Sequence, residues 1–97
     1  MTMPASIAGD MSIGHAGFSP APITPVGATT VLVMGAPPHV ADDVIGTHVL
    51  GNSAHGGKIA KVSTSVLAQD KGVARLMDKG DCDSLILGTG ATVMVGG

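Results

Sequence analysis

Aromatic side chains are almost missing from this chain: its 97 residues hold no Trp, no Tyr and a single Phe, Phe18. Recognition of single-stranded nucleic acid by base stacking is thereby deprived of its platforms. Any core must be assembled from Val, Ile, Leu, Met and Ala. Such a core is thin for this length, so a metal, a partner chain or both are expected to help hold it. Glutamate is absent as well; all seven acidic residues are Asp, a residue of turns and caps rather than helix interiors. One cysteine, Cys82, excludes an internal disulfide and leaves a free thiol or a metal ligand. No apolar run approaches the length of a membrane span, and no charged start followed by an apolar stretch marks a secretory leader. No stable membrane insertion is expected.

What is present points to short extended segments. Fifteen Gly and six Pro argue against long helices. The net charge is −2, and all five cations (Lys58, Lys61, Lys71, Arg75 and Lys79) fall in one stretch. Without aromatics beside them, they do not make a nucleic-acid site. The expectation is one loop-rich, mainly β domain over residues 1–97.

Three segments read as strands from their β-branched content: Ala28 to Met34, Ser63 to Ala68 and Gly90 to Gly96. A helix over Thr64 to Lys79 competes for the second, although Gly72 weakens it. The offset favours strands, because Val31 precedes Asp43 by 12 positions and Val66 precedes Asp78 by 12. A third unit is split. Asp10 and His15 stand near the start without a preceding strand, and the strand around Val93 stands near the end without an Asp. Laying end beside start completes the unit and closes a pseudo-three-fold ring, which also removes two exposed sheet edges. The proline-rich segment Gly17 to Pro25 reads as a loop anchored by Phe18 and Ile23, and Asp42-Asp43 as a solvated turn.

His15 follows Asp10 by five residues, His48 follows Asp43 by five, and Cys82 follows Asp78 by four. His55 follows His48 across Gly51-Asn52-Ser53, where a tight hairpin returns it to the same place. Three imidazoles and one thiolate are a ligand set for tetrahedral zinc, with iron as the other metal to consider. Each histidine alone reads better as a turn or surface side chain; the shared spacing is what favours a metal site, and it is not a CxxC signature. His39, in the stiff turn Pro37-Pro38-His39, falls outside the register and is not expected to ligate. Asp10, Asp43 and Asp78 read as turn acceptors or as partners of ligand imidazoles. Ser12, Ser19 and Ser53 lie near histidines without a nucleophile elbow, so no enzyme is expected; a small zinc-dependent hydrolase remains the competing reading.

The segments Pro4-Ala5-Ser6-Ile7-Ala8-Gly9-Asp10, Pro37-Pro38-His39-Val40-Ala41-Asp42-Asp43 and Gly72-Val73-Ala74-Arg75-Leu76-Met77-Asp78 resemble the turn of PAAR-repeat proteins, although only Arg75 keeps the motif's Arg. His55-Gly56-Gly57-Lys58-Ile59 resembles the family's stretch between second and third units. The resemblance implies a small cone whose base caps a trimeric β-helical spike, one tip per trimer. It implies an apex holding structural zinc through His15, His48, His55 and Cys82. The implied location is the spike tip of a phage tail baseplate, or else a type VI secretion spike. A mean hydropathy of +0.44 suits a chain with apolar surface meant to be covered.

Overall fold

A computed structural model describes residues 2–13, 19–81 and 84–97, apart from the side chains of 90–92. The described residues form a small all-β structure without a helix. The strands are β1 (Thr2–Ala5), β2 (Met11–Ile13), β3 (Ala21–Thr24), β4 (Val44–Leu50), β5 (Ser53–Lys58), β6 (Leu67–Ala68), β7 (Lys71–Gly72), β8 (Leu85–Ile86) and β9 (Gly90–Gly96).

The three Asp-terminated segments fold alike. In each, the Asp amide closes a four-residue turn onto the carbonyl three positions back: Asp10 to Ile7 at 2.9 Å, Asp43 to Val40 at 3.1 Å and Asp78 to Arg75 at 3.0 Å. The carboxylate folds back over the turn and accepts the amide of the same residue, Ile7, Val40 or Arg75, at 2.9 Å each time. The residue before each Asp has positive φ: Gly9 at 99°, Asp42 at 70° and Met77 at 74°. A type II turn requires this of its third residue, and glycine meets it without strain. Asp42 and Met77 adopt it at a cost of roughly 1–2 kcal/mol.

The same segments bind one another in a cycle. The Ser6 amide donates to the Ala74 carbonyl at 3.0 Å, Ala74 to His39 at 2.8 Å, and His39 back to Ser6 at 2.9 Å. Bridges Ala5↔Arg75, Ile7↔Pro38 and Val40↔Val73 repeat the pattern one step outward. Ser6, His39 and Ala74 each stand four residues before their Asp, so repeat-equivalent positions close the cycle.

Beyond each turn the chain runs out and back as a hairpin. Strands β5-β4-β3-β2-β8 make one sheet. The isolated bridges Ile59↔Gly80 and Lys79↔Leu85 link the ends of its outer strands through residues 79–80. Ala21, Ile23, Ile45, Ile59, Ala74 and Ile86 fill the interior. The carbonyls of Asp43 and Asp78 accept the amides of Ile59 and Ile86 at 3.0 and 2.7 Å, so the isoleucine of each returning strand is seated by the turn before it.

Preceding the turns are shorter hairpins. Loops Met34-Gly35 and Gln69-Asp70 both have two consecutive positive φ angles, as I′ hairpins demand. The third is formed by β1 and β9, in the register Thr2↔Gly96, Met3↔Val95 and Pro4↔Met94. Ala5, Ala28, Val40, Ala68, Val73 and Val95 make a second apolar cluster under these hairpins.

Several expectations need correction. Ala28 to Met34 is not a strand; only the bridge Val33↔Ala36 survives, because the chain turns at 29–30 and again at Met34-Gly35. Of Ser63 to Ala68, only Leu67–Ala68 is a strand, since the Ser63 hydroxyl accepts the Ser65 and Val66 amides and bends the chain there. Gly90 to Gly96 is a strand throughout. The competing helix is absent, as residues 64–79 pair across the structure instead of along the chain. Within the expected loop Gly17 to Pro25, Ala21–Thr24 is strand β3, Ile23 is buried, and Phe18 lies outside the described residues. Gly46 makes room for Pro22 there, because a Cβ on Gly46 would come within 3.2 Å of the proline ring. Asp42 is exposed, yet Asp43 is fully buried.

Asp43 Oδ1 also accepts the Val26 and Gly27 amides at 3.0 and 2.9 Å. Asp43→Ala therefore orphans three backbone donors and should lower unfolding free energy by roughly 3 kcal/mol or more, read by urea denaturation. Met77→Gly should raise it by roughly 0.5–1 kcal/mol in the same assay, by relieving the left-handed backbone.

Candidate metal centre

His48 and His55 stand directly opposite each other on β4 and β5. The two-residue loop Gly51-Asn52 makes this possible: Gly51 has φ 57° at the first central position, where a II′ hairpin calls for glycine. Along β4 the buried positions are Ile45 and His48, three apart, whereas a regular strand alternates every two. A register shift between Ile45 and His48 resolves this. One extra residue on β4 turns His48 to the same inner side as Ile45.

The His48 ring is anchored through Nδ1. That nitrogen lies 2.6 Å from the Ser19 carbonyl, an acceptor, so Nδ1 carries the proton. The lone pair is then on Nε2, on the side of Ser12 Oγ at 3.5 Å. Ser12 gives its own hydrogen to Ser84 Oγ at 2.8 Å, and both serines are fully buried. They form a polar layer between the isoleucines and the histidine. An imidazole that donates one nitrogen to a backbone carbonyl and directs the other inward is oriented as metal-bound histidines are. The His48 and His55 ring centroids are 5.5 Å apart, with planes 52° apart. Two imidazoles at about 2.1 Å on one tetrahedral ion would have centroids roughly 5 Å apart, close to the separation of this pair.

His15 and Cys82 lie outside the described residues. Their described neighbours Ser12 and Ser84 hydrogen-bond to each other beside His48 Nε2. Among the described residues no three His, Cys, Asp or Glu side chains cluster as a metal site. Of the four sequence candidates, the described structure brings together His48 and His55. Asp10, Asp43 and Asp78 are turn acceptors, occupied by backbone donors.

Two features escaped the sequence reading. Ser19 offered only its proximity to a histidine, with no signal that its carbonyl would fix a ring tautomer. His39, read as a turn residue, is fully buried in the backbone cycle, with Nδ1 2.7 Å from Ser6 Oγ and, among the described residues, no well-formed hydrogen bond at Nε2. Burial lowers its pKa below 6.5, against the opposing pull of Asp43, Asp10 and the Ile23 carbonyl. Arg75 is shifted upward by the hydrogen bonds it gives Asp78 and remains a cation.

Compared with models of known protein families and with curated proteins, the chain matches none.

The His39 shift sets a pH dependence. A group whose folded pKa lies below its unfolded value of 6.5 stabilises the fold fully above that value and progressively less as pH falls toward the folded pKa. Unfolding midpoints should fall on acidification below 6.5, and His39→Asn should flatten that slope. An NMR titration should place the His39 midpoint below 6.5.

Proposed function

We propose that this chain is the structural tip of the central spike of a contractile injection machine, a small cone of the PAAR-repeat type. The observation that carries the reading is the backbone cycle of Ser6, His39 and Ala74. It is a three-part arrangement inside one polypeptide, of the kind needed to sit on a three-chain partner without symmetry mismatch. The partner is a trimeric β-helical spike, one tip per trimer, and the location is the tail baseplate of a virion.

The apolar surface supports this reading. Leu32 and Leu67 each stand 11 residues before their Asp, and Met94 pairs with Pro4 as Leu67's strand pairs with Gly72. These equivalent side chains are 64%, 58% and 51% exposed. Three large apolar groups at matching positions are costly in water and suit burial against three equivalent chains. Met34 and Val26 extend the apolar surface.

At the opposite end of the proposed cone, His15, His48, His55 and Cys82 hold one structural zinc ion. The metal contributes folding free energy, on the order of 10 kcal/mol in small zinc domains. Ser19 fixes the His48 tautomer, and the Ser12–Ser84 layer separates the ligands from the apolar interior. Four protein ligands leave no place for an activated water, so the role is mechanical rather than catalytic.

Elemental analysis of the purified chain should give about one zinc per chain. Cys82→Ser and His48→Ala should lose it together with most of the thermal stability. Zinc-free wild type, or variants that keep their unfolding midpoint, would overturn the site. In sedimentation with the β-helical spike domain encoded beside it, one chain should bind per trimer. The triple change Leu32→Asp, Leu67→Asp, Met94→Asp should abolish the complex.

A further inference from the structure

The three repeats are not equal, and their difference leaves a cavity. In two of them the aspartate is also capped by the returning strand of a neighbouring repeat. Asp43 takes the Val26 and Gly27 amides, and Asp10 takes the Thr89 amide at 2.9 Å and the Thr89 hydroxyl at 2.7 Å. Counting from the buried isoleucines Ile23, Ile59 and Ile86, the fourth residue on is Gly27, Ser63 and Gly90. Gly27 approaches so closely that a Cβ would stand 2.5 Å from Val40 Cγ2 and 3.2 Å from Asp43 Oδ1. Ser63 has a side chain, so the equivalent strand cannot make this approach to Asp78.

Arg75 takes over the capping. Its Nε and Nη2 donate to the two Asp78 oxygens at 2.8 and 2.9 Å, and Nη1 donates to the Gly96 carbonyl at 3.1 Å. Beside this pair a cavity of about 440 Å3 remains, walled by Met3, Leu76 and Met77 and rimmed by Lys61, Arg75 and Asp78, with Gly97 at its edge. The Arg75–Asp78 pair is mutually neutralised and mostly buried. Lys61 is then the one charged side chain of the lining without an acidic side-chain partner among the described residues. Lys79 lies close by, its carbonyl accepting the Ala60 and Lys61 amides at 3.0 and 2.9 Å. Of the five cations in residues 58–79, Lys61 and Arg75 line the cavity, and with Arg75 paired to Asp78 the exposed Lys61 ammonium is left at its mouth. One such cation beside an apolar wall suits a ligand with a single negative head and an apolar body.

We infer that this cavity binds the headgroup and first carbons of an anionic amphiphile, with Lys61 on the anion and Met3, Leu76 and Met77 against the alkyl chain. Its lining shares no residue with the histidine pair or with Leu32, Leu67 and Met94, so the two readings are tested with different variants.

The probe is octanoate below its micelle concentration, added to the full-length, metal-loaded chain carrying ¹³C-methyl methionine. Saturable shifts are expected at the Met3 and Met77 methyls, with Met11 and Met34 unmoved. Lys61→Gln, at an exposed position, should weaken octanoate binding about tenfold or more, and neutral 1-octanol should bind wild type about tenfold more weakly, as loss of a charge contact predicts. Phosphatidylglycerol vesicles that broaden the same two methyls, where phosphatidylcholine vesicles do not, assign the source to a membrane lipid. Octanoate binding without any vesicle effect assigns it to a free amphiphile. Equal affinity for octanol and octanoate, shifts confined to Met34 and Met94, or no saturable shift would overturn the site.

Discussion

A carboxylate taken out of water must find donors, and in this chain three of them find the same donors in the same way. Asp10, Asp43 and Asp78 each close a turn through the amide and hold it through the side chain. Hydrogen bonds to a charged acceptor contribute more than neutral ones, roughly 1.5–3 kcal/mol each. With one Phe and no larger aromatic side chain, the apolar core is limited in what it can supply. Much of the fold's specificity therefore rests on satisfied polar groups, and the Ser6–His39–Ala74 cycle expresses this at the level of the backbone.

From these turns the rest follows by continuity. Each turn launches a hairpin, and bridges through residues 79–80 link the outer strands of their sheet at one end. Inside, isoleucines give way to Ser12 and Ser84, and these to His48. A single bulge in β4 places that histidine inward. The gradient from apolar to hydroxyl to imidazole lets a small domain bury a polar ring without breaking its apolar interior. Departure from three-fold sameness is equally local. Serine in place of glycine at one position holds a strand away, and Arg75 substitutes a guanidinium for the missing amides.

Much of this was legible in the residues. The turns at Asp10, Asp43 and Asp78 were, because Gly9-Asp10 and its counterparts recur at fixed offsets. The approach of His55 to His48 was legible because a glycine-led two-residue loop permits little else. Strand β9 and its pairing with the beginning of the chain followed from completing a split unit. Misread were segments whose β-branched residues suggested strands, such as Ala28 to Met34. There, side-chain preference yields to a loop at Met34-Gly35 that the neighbouring hairpins impose. Pro22 was misread in the other direction, since Gly46 on the adjacent strand accommodates a ring that ordinarily excludes proline from a paired strand.

By itself the sequence determined the all-β class, the number and spacing of the turns and the residues able to ligate, because composition and short-range turn chemistry act within a few residues. Only the tertiary structure decided that His39 is fully buried against Ser6, that Ser19 sets the tautomer of His48, and that a cavity stays beside the Arg75–Asp78 pair. Two of those outcomes join groups 29 and 33 positions apart along the chain, His48 with Ser19 and His39 with Ser6. No local preference encodes such meetings, and they exist once the hairpins have closed on one another.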